Sequence, residues 1–241
     1  QTGAGTQRIE RLLAGELAPM PVFRLDADTS AGPGGHARIL SDFDQQESAI
    51  LVGTQMVAKG HDFPEVTLAA ILDADATLRF PDFRAEERTF SLVTQLAGRS
   101  GRSKAGGRVI VQTLAPGNPS ISHAARHDSP GFLAGELERR RELGYPPFSH
   151  LIRILLAAEM EPEVERAANE AATRLGEALP AEAELLGPAP MFRARNRFRR
   201  RILIRSTTRA ESIEAVHATI EEMLADRSLR QITLAIDVDP Q

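Results

Sequence analysis

Apolar positions recur along the chain at two periods, and the changes between them predict its elements. Ile9, Leu12, Leu13 and Leu17 follow the 3.6-residue repeat of a helix, with Thr6 placed to cap it and Pro19 and Pro21 to stop it. Residues 22–25 read as a short strand. A Gly/Pro-rich turn at 32–35 leads to a second helix through Ile39, Leu40 and Phe43, and then to a buried strand at 49–52. The run 66–72 is almost wholly apolar, as parallel strands are when both sheet faces are covered. Residues 82–97 predict a helix and 108–112 another strand. This alternation with short connections predicts a doubly wound parallel α/β lobe over 1–115.

Segments 119–127 and 130–143 predict connecting helices, making 116–147 a helical connector. Gly144, Tyr145, Pro146 and Pro147 end it, because proline fixes φ and removes backbone donors. Beyond it the expected order is strand 148–157, helix 162–179, strands 183–187 and 199–206, helix 209–225 and strand 231–238. That βαββαβ order predicts an α+β domain of ferredoxin-like type at 148–241. Its helices carry core stripes, Val164, Ala167, Ala168, Ala171 and Leu175 on the first and Ile213, Val216, Ile220 and Leu224 on the second.

Composition narrows the function classes. With 42% apolar and 26% charged residues the chain reads as globular, and a net charge of −4 means that any nucleic-acid surface must be local. The absence of cysteine excludes thiol catalysis, disulfides and cysteine-ligated zinc within this sequence. No run approaches the roughly 20 apolar residues of a membrane span, and the opening lacks the regions of a signal peptide. The expectations are a cytoplasmic monomer with no membrane partner. A first residue of Gln and an opening that reads like the middle of a protein suggest a fragment.

The chemistry concentrates in three places. Gln95-Leu96-Ala97-Gly98-Arg99-Ser100-Gly101-Arg102 ends the helix 82–97, where the glycines would turn the chain sharply and hold two guanidiniums close together. A guanidinium has a fixed charge and a planar fork that matches phosphate oxygens, and a finger of this kind can accelerate phosphoryl transfer by about 10³–10⁵-fold. Gly-Arg pairs alone are commonly solvated helix ends; the full Q-x-x-G-R-x-G-R spacing is more specific. The second place is the segment 53–64 after the strand 49–52, where α/β sheets carry ligand loops. Its backbone amides and the Thr54 hydroxyl suit a nucleic-acid phosphate, and Asp62 suits a ribose hydroxyl. Alternatively, Gly53 and Gly60 permit turns and Asp62, before Phe63 and Pro64, starts one.

The third is Phe192 to Arg201, a predicted loop between the middle strands of the C-terminal domain with six arginines in ten residues. Such a charge cluster neutralises phosphates, and Phe192 or Phe198 can stack on an unpaired base. The alternative is a solvated loop with its phenylalanines inward, and Phe198 is expected to point into the core. Glu138 to Glu142 reads as a solvated helix face held by charge pairs. His123 and His127 lie one helical turn apart but lack a third ligand candidate, so no metal site is assigned.

The motifs at 53–64 and 95–102, in this order and flanking the strand 66–72, resemble motifs V and VI of superfamily 2 helicases. Together with Asp82-Phe83-Arg84-Ala85-Glu86-Glu87-Arg88, the GTQR string at 5–8, Asp26-x-Asp28-Thr29, Tyr145-Pro146-Pro147-Phe148, Gly187-Pro188-Ala189-Pro190 and the ending Asp237-Val238-Asp239-Pro240, they resemble the primosomal protein N′ family of replication restart helicases over nearly the whole chain. The resemblance implies a RecA-like second helicase lobe, with Arg99 and Arg102 facing ATP and Gln95 lining the same cleft. It implies that Gly53 and Thr54 touch DNA backbone, while Lys59, Gly60 and Asp62 link that contact to the nucleotide.

By the same resemblance the parent protein unwinds DNA 3′ to 5′ at stalled forks, recruits primosome proteins, and uses its C-terminal domain on branched or single-stranded DNA or on single-strand-binding protein. Arg193, Arg195, Arg197, Arg199 and Arg200 are then DNA contacts. The sequence departs from the family in lacking a phosphate loop, an acidic box and the zinc-binding cysteines. ATP and Mg²⁺ are expected to be held mainly by another lobe and zinc by ligands outside this chain, and the chain alone is expected neither to hydrolyse ATP nor to unwind DNA. The alternative is a noncatalytic DNA- and protein-binding module with a vestigial motor lobe.

Overall fold

The computed structural model describes residues 3–30, 32, 34–54, 57, 65–100, 107–226, 229 and 231–240. They divide into two compact units, Gln1–Phe132 and Leu133–Gln241.

In the first unit, helix α1 (Gly3–Glu16) and helix α2 (Gly35–Asp44) pack on strand β1 (Val22–Leu25), which pairs in parallel with β2 (Ile50–Gly53) in the register Val22↔Ile50 to Leu25↔Gly53. Phe23 meets Phe43 edge-on at 6.0 Å, fixing α2 against β1. Thr6 is not a cap: α1 begins before it, and its side chain is buried against the end of β1. A second parallel pair joins β3 (Leu68–Ile71) to β4 (Arg108–Val111). Between them lie one turn of helix, α3 (Asp75–Leu78), and the long helix α4 (Ala85–Ser100). Helix α5 (Pro119–Ala125) packs on α4, and its N-terminus is capped by Asn118, whose side chain accepts the Ser120 amide.

The expected parallel architecture is present, but among the described residues its strands form two separate pairs. The apolar run at β3 is not covered on both faces. Ile71 and Val111 pack towards α4 and α5 on one face, whereas Leu68, Leu72 and Ile110 are each more than half exposed. Alternation within a short parallel pair therefore explains this strand better than full burial. Helix α6 (Ser129–Glu142) starts with Phe132 stacked on Phe90, centroids 4.2 Å apart.

In the second unit, Glu136 of α6 is buried and holds Arg139 and Arg140, and Arg140 also reaches the Pro146 carbonyl. The charge run of α6 is thus partly structural, not only a solvated face. Gly144, at φ 62°, ends the helix in the left-handed conformation. Next come β5 (His150–Ala158), α7 (Glu161–Ala178), β6 (Glu184–Ala194), β7 (Arg197–Ser206), α8 (Arg209–Ala225) and β8 (Thr233–Val238). The sheet is antiparallel in the order β6-β7-β5-β8, the arrangement of a ferredoxin-like βαββαβ domain.

Both helices cover the same sheet face. Ile152, Ile154, Leu156, Ile202 and Ile204 meet Val164, Ala167, Ala168, Ala171 and Leu175 of α7, all of the latter fully buried as the stripe predicts. On α8 the stripe turns by one position: Met223 is buried, while Leu224 is 61% exposed. Strand β6 runs farther than expected because a bulge at Gly187 and Pro188 lets it resume pairing at Ala189. Gly187 has φ 105°, and a Cβ there would lie 2.7 Å from the Arg201 carbonyl oxygen. As an edge strand, β6 can carry Pro188 and Pro190 without losing ladder donors.

Candidate functional site

The carboxyl ends of β1 and β2 lie side by side, Leu25 opposite Gly53. Just beyond β1, Asp26 is 2% exposed and collects donors: the Thr6 hydroxyl at 2.6 Å and the amides of Asp28 and Thr29 at 3.1 and 3.0 Å. The Arg24 guanidinium lies 3.5 Å away. The hydrogen bond from Thr6 holds the Asp26 carboxyl below the usual carboxylate range against the opposing effect of burial, with Thr29 and Arg24 adding to it. Sequence reasoning valued this Asp-x-Asp-Thr string only as a family marker. Physically it is a side-chain knot that fixes the turn leaving β1.

That knot bears on Gly53. A Cβ at Gly53 would lie 2.5 Å from the Leu25 carbonyl oxygen and 2.2 Å from Val57 Cγ2, so the glycine is required for close approach of two backbones. Thr54 follows at the strand end, and its carbonyl accepts the Val57 amide at 3.0 Å. The segment therefore begins directly at the carboxyl edge of a parallel pair, where α/β folds place ligand loops.

Gln95 lies on α4, exposed, with its amide nitrogen donating to Ser91 Oγ at 2.9 Å. Gly98 is helical, since α4 continues to Ser100, and it does not form the sharp turn expected there. Among the described residues nothing lies within 4 Å of the position a Cβ would take. The Arg99 side chain, and all of Lys59, Gly60, Asp62 and Arg102, lie outside the described residues.

The arginine-rich segment is not a loop. It is the tip of the β6–β7 hairpin, closed by Arg195 and Asn196 at φ 50° and 60°. Two successive left-handed residues make the type I′ turn whose twist suits a two-residue hairpin. Period-2 geometry then sorts the arginines by face. Arg200 shares the helix-covered face with Ile202 and Ile204, and its guanidinium reaches Glu161 at 3.0 Å and Glu165 at 3.8 Å. Phe198 packs against the core as expected, with Arg193 4.1 Å above its ring and bonded to Asn196. Phe192 is 96% exposed.

Arg197, Arg199, Arg201 and Arg205 face the other side. Arg197 donates to Thr233 Oγ1 at 2.6 Å and to the Gln231 carbonyl, and Arg205 binds Glu184 and the Leu143 carbonyl. Among the described residues no carboxylate pairs with Arg199 or Arg201. Arg205 was missed as a candidate, and Arg201 was counted in the cluster but not among the DNA contacts, although the alternation of Arg with Ile and Leu along 199–205 signals one charged and one buried face. His123 pairs with Asp128 at 2.8 Å, and no group of three potential metal ligands occurs among the described residues. No helix among them is long and apolar enough to cross a membrane.

Comparison with known proteins agrees with this division. Residues 4–104 match the helicase conserved C-terminal domain, and residues 141–241 match the primosomal protein N C-terminal domain. The chain is 37% identical to the replication restart protein PriA of Bacillus subtilis over 240 residues, which is 99% of this chain and 30% of that protein. It is 37% identical to the protein of the same name from Chlamydia trachomatis, covering 99% and 32%, and 36% identical to that of Synechocystis, covering 99% and 28%. It thus spans about a third of the length of these relatives.

Proposed function

The chain belongs to the family of replication restart proteins PriA, matching their helicase and primosomal C-terminal domains, and from that premise we propose that it is the second motor lobe and C-terminal domain of an ATP-dependent 3′ to 5′ DNA helicase that restarts stalled forks. Arg99 and Arg102 would face the phosphates of ATP held mainly by the other lobe, with Gln95 lining that cleft. Gly53 and Thr54 would touch the DNA backbone, and Lys59, Gly60 and Asp62 would couple this contact to the nucleotide. The C-terminal unit would add contacts to branched or single-stranded DNA, to single-strand-binding protein and to other primosome proteins. Such a protein works in the cytoplasm.

The observation that carries this reading is the Gly53 close approach. It places Thr54 at the carboxyl edge of the β1–β2 pair by backbone packing that no other residue permits. The chain's own chemistry is positioning and charge. Guanidiniums stabilise charge as it spreads over the transferred phosphoryl oxygens, and closure of two lobes followed by reopening converts that step into movement along DNA. Mg²⁺ bound with ATP would supply further neutralisation, but this chain contains neither a phosphate loop nor an acidic box to grip them. Zinc ligands do not fit here either, because the sequence has no cysteine and its described residues form no metal-binding cluster.

The test is DNA-stimulated ATP hydrolysis. In a full-length protein containing this sequence, Arg102→Ala should lower turnover by about 10³-fold or more. The 241-residue chain alone should show none. Hydrolysis by this chain alone, lost on Arg102→Ala, would overturn the expectation of an inactive fragment; full activity of the full-length variant would overturn the finger assignment.

A further inference from the structure

We propose that the helix-free face of the C-terminal sheet, centred on Arg199 and Arg201, binds an extended single strand of nucleic acid. The preference for DNA rests on the fork-restart function proposed above; the preference for a polyanionic strand rests on the sheet itself.

Two neighbouring rows cross all four strands on this face. One is Met191, Arg199, Ala157 and Thr233, and the other is Ala189, Arg201, Leu155 and Ala235. Neither row contains a carboxylate, and among the described residues none pairs with Arg199 or Arg201, so each guanidinium stands among uncharged row neighbours. The other end of the face differs: Arg153 binds Asp237 at 2.5 Å, and Arg205 binds Glu184. Ion pairs neutralise the face at that end and leave the rows nearer the hairpin without a carboxylate.

Spacing selects the ligand. Arg197, Arg199 and Arg201 repeat every second residue of one extended strand, about 6.8 Å apart. A straight ladder of cations follows an extended strand, whereas the backbone of a duplex winds away from it. The other row positions, Met191, Ala157, Ala189, Leu155 and Ala235, are apolar and suited to the faces of unstacked bases. A stable structural role explains Arg200, Arg205 and Arg153, which have acidic partners. It does not explain two guanidiniums in adjacent rows that no carboxylate pairs with among the described residues.

The experiment is fluorescence anisotropy of the 241-residue chain with labelled oligo(dT) across a salt series. Arg199→Gln with Arg201→Gln should reduce the slope of log affinity against log salt by about 1.4, at about 0.7 per phosphate contact on a single strand, while Arg199→Lys with Arg201→Lys should retain the slope. Met191→Glu, which sets a carboxylate beside Arg199 without removing either arginine, should lower the slope by about half as much and guards against a folding defect in the double variant. An unchanged slope in both the Gln pair and Met191→Glu overturns the site. Loss of binding to an oligo-glutamate peptide with binding to oligo(dT) intact overturns it in favour of an acidic protein partner. Failure of the helicase reading is separate, since it is read from ATP hydrolysis of the full-length protein and not from this slope.

Discussion

Thr6 Oγ1 donates a 2.6 Å hydrogen bond to Asp26 Oδ2, tying the first helix to the end of β1. Thr6→Val keeps the shape and removes the donor, leaving a buried carboxylate short of a partner. The expected cost is about 1–3 kcal/mol, read as faster amide exchange in α1 and β1. The pH dependence follows from the direction of the Asp26 shift. Its folded pKa is depressed, so its stabilisation is complete above the unfolded value of about 3.9 and is lost as pH falls through the lower folded value. Asp26→Asn should therefore flatten the loss of protection seen on acidification below about pH 4. An identical acid profile in the two proteins would show that the carboxylate contributes no linkage.

Gly53→Ala should be costly in a way Thr54→Ala is not. The added methyl meets the Leu25 carbonyl oxygen at 2.5 Å, and backbone cannot yield as a flexible side chain can. Overpacking of this kind costs about 1–3 kcal/mol, so the thermal transition should fall by several degrees. Thr54→Ala should melt close to the parent and, in the full-length protein, weaken DNA-stimulated ATP hydrolysis. Equal melting of Gly53→Ala and the parent would mean that the two backbones separate at little cost.

What could be read from the sequence follows from what period and chemistry encode. The stripe of α7 was plain because four small or branched residues and one leucine repeat at helical spacing, and every one is fully buried. On α8 the same reasoning chose Leu224 over Met223, since apolarity alone does not distinguish adjacent positions at the edge of a stripe. Thr6 looked like a cap because a cap and a buried mid-helix donor are the same residue type; only the partner, Asp26, twenty positions away, decides between them. The six arginines were visible as charge but not as faces. Their sorting depends on a two-residue turn and on bulges beside Gly187 and Phe192 that set the register of β6 against β7.

Gly98→Ala separates local stability from function. The residue is helical, and among the described residues a methyl group there meets nothing within 4 Å. Replacing a helical glycine with alanine stabilises by about 0.5–1 kcal/mol, so the melting temperature should rise. If the proposed finger helix faces a nucleotide held by another lobe of the full-length protein, the methyl would occupy that approach, and ATP hydrolysis should fall while stability rises. A variant that is both more stable and fully active would show that Gly98 serves no close approach.

Arg199 and Arg200 offer the sharpest comparison, being adjacent, alike in charge and on opposite faces of β7. Arg200 is bound to Glu161 and Glu165, both about half exposed to solvent. The Arg200 side chain itself is only 11% exposed, so Arg200→Gln also changes packing, but its removal takes no cation from the helix-free face. In the anisotropy salt series Arg199→Gln should lower the slope by about 0.7, while Arg200→Gln leaves it unchanged. A charge cluster acting simply by proximity would give equal losses for the two. Equal losses would therefore refute a face-specific contact, even if the chain binds DNA, and would return the hairpin to a diffuse basic patch.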